Sequence, residues 1–132
     1  MIKSSVNDIW NHVSKITSLN WLEGQKSTKF LSTKKRGVGA IRLISFEDGS
    51  NVEEHIVGWH PKKYFSYIAV SGLPLIAYHA PISMNRPDNG VMVVWESHFS
   101  SKEEKSKFTA FTKFLSEFYM SSLKNLKNTL EK

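Results

Sequence analysis

The chain has 132 residues, no cysteine and a formal net charge of +6. That length suits one domain built around one core, and the absence of cysteine excludes disulfides and thiolate chemistry. Hydrophobic residues make up 40% and charged residues 23%, as in an ordinary soluble globular protein, and no apolar run approaches the roughly 18 residues of a membrane span.

The start, Met1-Ile2-Lys3-Ser4, is not a signal peptide, so the expected location is cytoplasmic. Ser4 or Ser5 can cap a short helix, with Asp8 in its first turn. Val6, Ile9, Trp10 and Val13 follow the i, i+3, i+4, i+7 spacing of a buried helical face. A second short helix or turn is expected over Ile16 to Leu22, ending at Gly24 and anchored by Leu19, Trp21 and Leu22. Strands then follow. Thr28 to Thr33 leads into the polar turn Lys34-Lys35-Arg36-Gly37. Gly39 to Glu47 and Asn51 to Trp59 flank Asp48-Gly49, a strong hairpin signal. Tyr64 to Val70, Ile76 to Asn85 and Val91 to Ser100 complete the set, and Pro81 marks a bulge or an edge.

The last element organises the rest. From Lys102 to Glu131 no proline or glycine intervenes, Ser100 and Ser101 offer N-caps, and Glu103 and Glu104 suit the first turn. Phe108, Phe111, Leu115, Phe118, Tyr119, Leu123, Leu126 and Leu130 form one apolar stripe, widened by Phe114. A helix with such a face must lie against an apolar surface, and the strands upstream supply one. The class is therefore α+β, a single domain over 1–132 with helices on one face of a curved antiparallel sheet of about six strands.

The tracts SSVNDIWNHV with Trp21, GAIRLISFEDGSNVEEHIVGW, YFSYIAVSGLPL and GVMVVWESHF before the final helix resemble the START/Bet v 1-like helix-grip superfamily, also termed SRPBCC. Within it they are most similar to the polyketide cyclase/dehydrase-like and abscisic-acid-receptor-like branch. The resemblance implies two short N-terminal helices and a sheet bent around the long C-terminal helix, with a cavity between them for an apolar or amphipathic ligand. It also implies a full strand ahead of the first helix. Only Met1 to Lys3 stand there, so that strand is expected to be truncated or missing. The edge left along Val91 to Ser100 predicts a homodimer or an exchanged segment.

Strand alternation defines sets of side chains but not which set faces inward. Arg42 and Glu54 lie on strands joined by the hairpin, where a shared face would make a cross-strand ion pair. In the last strand, apolarity turns Trp95 and Phe99 inward, whereas the resemblance places Glu96, with Glu54, at the cavity. By resemblance Tyr78 is a ligand-bonding cavity tyrosine, and Gly72-Leu73-Pro74-Leu75 occupies the place of a loop at the cavity mouth. Phe114, Phe118 and Ser122 are candidates for the cavity floor. Each of these residues also has a structural reading as core, turn or salt bridge. The five histidines form no helical i, i+4 pair, so no metal is expected. There is no GxSxG elbow, and Gly37-Val38-Gly39 is too short for a phosphate loop. The basic residues are scattered, which fits solubility better than nucleic-acid binding.

Three functions follow as expectations, none needing a cofactor. The first is binding of a hydrophobic or amphipathic small molecule, such as a lipid, an aromatic or a polyketide-like compound, with Arg42, Glu54, Leu75, Tyr78, Glu96, Phe114, Phe118 and Ser122 at the site. The second is a cyclase/aromatase-type reaction in the same cavity, its catalytic residues unknown. The third is a protein-interaction module that uses the open edge.

Overall fold

The computed structural model describes residues 2–73, 76–85, 90–100 and 105–131. Helix α1 (Val6–Val13) starts at Ser5, whose hydroxyl accepts the Asp8 amide at 3.1 Å. It buries Val6, Ile9, Trp10 and Val13, the face its spacing predicts. The second short helix does not form. Lys15 to Gly24 makes isolated turns, closed by bonds from Ser18 to Lys15 and from Leu22 to Leu19. Its anchors Leu19, Trp21 and Leu22 are buried, but they lack the repeat that would propagate a helix.

Seven strand segments follow: β1 (Gln25–Phe30), β2 (Ile41–Phe46), β3 (Asn51–His60), β4 (Tyr64–Ser71), β5 (Ile76–Asn85), β6 (Met92–Trp95) and β7 (His98–Ser100). They form one antiparallel sheet in the order β1-β2-β3-β4-β5-β6, with β7 also paired to β5. Six positions are thus filled, the last by two pieces. The split falls at Glu96–Ser97, opposite Ala80–Pro81 in a register that matches Ile82 with Trp95 and His79 with His98. Proline has no amide hydrogen to give the neighbouring strand, so the ladder lapses there. Ahead of α1, Ile2 makes a single bridge to Val91, with hydrogen bonds of 2.7 and 3.1 Å. The rest of the β6 outer edge has no strand partner among the described residues.

Helix α2 (Lys105–Leu130) lies across the concave face. Its expected start, with Ser101, Glu103 and Glu104, lies outside the described residues, and Ser100 closes β7 instead of capping the helix. Leu115, Tyr119, Ser122 and Leu126 are buried, whereas Phe114 is 57% exposed. The C-terminal half of α2 is tied to the turns before β1. Ser122 Oγ accepts the Glu23 amide at 2.9 Å, and Asn125 Nδ2 donates to the Trp21 carbonyl at 3.2 Å. The N-terminal half has no such ties among the described residues. The sheet curls around α2 as a half-barrel, the helix-grip arrangement expected from the resemblance.

Candidate functional site: a cavity between sheet and helix

A cavity of about 450 Å³ lies between the concave face of the sheet and α2. Its walls are mostly apolar: Ile44, Phe65 and Ile82 from the sheet, and Phe111, Leu115 and Phe118 from the helix. The exposed members of its lining come from three turns and the helix. They are Glu23 and Gly24 before β1, Glu47, Asp48 and Ser50 of the β2–β3 hairpin, Gly72 after β4, and Phe114. These mark the mouth.

The polar end is built by register. Arg42 and Glu54 are directly opposed in the β2–β3 ladder, on the buried face. Arg42 Nε donates to Glu54 Oε1 at 2.9 Å, and Nη2 lies 2.7 Å from the same oxygen. Nη1 donates to the Ile16 carbonyl at 2.9 Å, and the guanidinium carbon sits 5.1 Å from the centre of the Tyr67 ring. Burial raises the Glu54 pKa above its ordinary value, and Arg42 offsets only part of that rise.

Three phenols complete this end. The Tyr78 and Tyr119 hydroxyls bond each other, and Trp95 Nε1 donates to the Tyr67 hydroxyl at 3.0 Å. Trp95 stacks on Tyr119 with ring centres 4.0 Å apart. Burial pushes all three phenols above their usual range, so they are neutral hydrogen-bonding groups, not phenolates. The site can therefore enclose an apolar body and offer hydroxyls at one end.

Of the residues singled out from the sequence, Arg42, Glu54, Tyr78, Phe114 and Phe118 line this one cavity. Leu75 lies outside the described residues, and its neighbour Leu73 is in the lining. Glu96 is exposed and absent from the lining, which takes Trp95 in its place. Alternation decided that strand: one side chain of each adjacent pair must face out, and desolvating the carboxylate costs more. Ser122 is fully buried but stands outside the lining, spent on the Glu23 amide. Tyr67 and Tyr119 were missed. Phe65 and Tyr67, two apart on one strand, were the signal for Tyr67; Tyr119 read only as part of the packing stripe. Among the described residues, no group of three or more potential ligands could hold a metal ion.

A curled sheet gripping one long helix around a mainly apolar cavity is the architecture of helix-grip proteins. Over residues 1–131 the chain matches the family described as polyketide cyclase / dehydrase and lipid transport, and it belongs to that family. Similar solved structures include protein XoxI from Bacillus cereus, at 21% identity and a TM-score of 0.84, covering 99% of this chain and 91% of that one. The di-domain ARO/CYC StfQ from the steffimycin biosynthetic pathway is 12% identical with a TM-score of 0.82, covering 98% of this chain and 48% of its own. Major latex-like protein 151 from Panax ginseng is 14% identical with a TM-score of 0.69, covering 98% and 91%. At these identities the likeness is one of fold. No curated protein matches the chain in sequence.

Proposed function

We propose that the chain binds a hydrophobic or amphipathic small molecule, lipid, aromatic or polyketide-like, in the cavity between sheet and helix. The observation that carries this reading is a space of about 450 Å³ whose walls are apolar and whose closed end gathers Arg42, Glu54, Tyr67, Tyr78 and Tyr119. The apolar walls supply affinity, and the hydroxyls orient a ligand oxygen. Phe114 and Phe118 contact the ligand from the helix side, nearer the mouth.

The test is native mass spectrometry of protein from a rich host, followed by thermal melts with an amphiphile panel. A retained apolar molecule at one per chain is expected, and a ligand at 100 times its Kd adds roughly 2.7 kcal/mol of stability. A bare protein that no amphiphile stabilises overturns the reading. The same spectra report stoichiometry. A second copy pairing along Met92–Trp95 gives a dimer, whereas a monomer at all concentrations removes the homodimer expectation.

A cyclase-type reaction in the same cavity is the second reading. It is favoured by the raised pKa of Glu54 beside three neutral phenols, a set able to hold and move protons. The ARO/CYC protein among the structural neighbours is consistent with it. Tyr78→Phe retains the ring. Lost turnover with retained ligand binding would mark the chain as an enzyme, and equal turnover would remove Tyr78 from the chemistry.

A further inference from the structure

The charge of the cavity is opposite to the charge of the molecule. The chain carries a formal +6. Among the described residues, the cavity lining holds one cation, Arg42, against four carboxylates, Glu23, Glu47, Asp48 and Glu54, and no lysine. Arg42 is also committed. Nε and Nη2 serve Glu54, Nη1 serves the Ile16 carbonyl, and Tyr67 stands against the guanidinium. An anionic headgroup at the closed end finds that cation already paired and meets the Glu54 carboxyl beside it.

At the mouth, Glu47 and Asp48 belong to the tight β2–β3 hairpin, and Glu23 precedes β1. All three are exposed and belong to the cavity lining, so a headgroup left at the entrance lies among carboxylates. The Asp48 carboxylate accepts the Ser50 amide at 2.9 Å and the Ser50 hydroxyl at 2.6 Å, bonds that favour its ionised form. The Glu23 carboxylate accepts the Asn125 amide at 3.1 Å.

We infer that the cavity takes neutral or cationic amphiphiles and rejects carboxylates, against the sign of the molecule's overall field. This rests on the ligand-binding reading and narrows it to a charge class. An alcohol, a phenol, a ketone or an amine on an apolar body fits, and a free fatty acid does not.

The experiment is calorimetric competition of naphthylmethylamine and naphthoate against bound naphthalenemethanol, at neutral pH and at two salt concentrations. The three probes share one ring system and differ in head charge. The amine is expected to bind tightest, and naphthoate about fivefold or more weaker than the alcohol, the scale of one charge interaction near a protein surface. The spread narrows in high salt. In Glu47→Gln/Asp48→Asn, both exposed turn positions, the ratio of amine to naphthoate affinity falls toward one.

Naphthoate binding as tightly as the alcohol overturns the charge inference and leaves the cavity reading standing, because the net +6 alone predicts that outcome. A ratio unchanged in the double variant overturns the assignment of selectivity to the mouth. No binding by any probe counts against the cavity reading and the inference together.

Discussion

At the scale of single residues, Glu54 and Arg42 form an ion pair inside the core. Both are nearly fully buried, so each is tolerable only because the other is there. Glu54→Gln leaves Arg42 as an uncompensated buried charge and should cost about 3 kcal/mol. Arg42→Met/Glu54→Leu removes both charges and should recover most of that loss. Urea unfolding of the three proteins checks this, and a single variant as stable as the double one would show that the pair is not coupled. The pair also sets a pH dependence. Burial raises the Glu54 pKa above 4.5, so the folded protein keeps that proton where the unfolded chain has released it. The unfolded state then binds fewer protons, and stability falls as pH rises from 4.5 through the raised value. Glu54→Gln should remove this contribution to the slope, read as the difference between wild-type and variant unfolding curves across that window.

At the scale of elements, the cavity mouth depends on how closely two hairpins approach. Gly72, at the end of β4, has φ +95°, and a Cβ there would run into the backbone carbonyl of Asn51 at the start of β3. Gly49, at the tip of the β2–β3 hairpin, has φ +89° with nothing within 4 Å of an added Cβ. Both substitutions by alanine incur a left-handed backbone penalty of about 1 kcal/mol, but only Gly72→Ala must also push β3 and β4 apart. It should therefore lose about 2 to 3 kcal/mol in chemical denaturation. Equal losses at the two sites would show that the strands give way freely. The elements themselves were largely legible in the sequence, because period-two and period-3.6 patterns report burial directly. Thus Ile76 to Asn85 and α1 fall where expected. The failures are places where neighbours decide. The turns after α1 are held by Ser122 and Asn125, about a hundred residues away in sequence, and the gap between β6 and β7 depends on a proline in the adjacent strand. In the candidate site, the hairpin pointed to Arg42 opposite Glu54, and the resemblance pointed to Glu54 and Tyr78; all three line the cavity. Where resemblance and apolarity conflicted, at Glu96, apolarity held: Trp95 faces the cavity and Glu96 is exposed. Tyr119 and Tyr67 stayed hidden because an aromatic on a core stripe looks the same whether it packs or lines a cavity.

At the scale of the whole molecule, those same tyrosines make the fold sensitive to base. Tyr67, Tyr78 and Tyr119 meet in one buried cluster with contributions from β4, β5 and α2, so the sheet and the helix share a single set of titrating groups. Burial holds each phenol above its ordinary value of 10.0, while in the unfolded chain each ionises near that value. Above it the folded state binds more protons than the unfolded state, and stability must fall as pH rises. Each such group contributes about 1.4 kcal/mol per pH unit once the unfolded phenol is ionised. The three shifts act in the same direction, so their losses add above pH 10.0, against the small net stability of a domain this size. Circular dichroism should show cooperative unfolding in that range, with sheet and helix lost together because the cluster joins them. Tyr78→Phe takes one proton out of the balance and should make the decline shallower. If the helix melts at lower pH than the sheet, or if the variant declines as steeply as the wild type, the cluster does not couple the two layers, and base sensitivity must come from elsewhere in the chain.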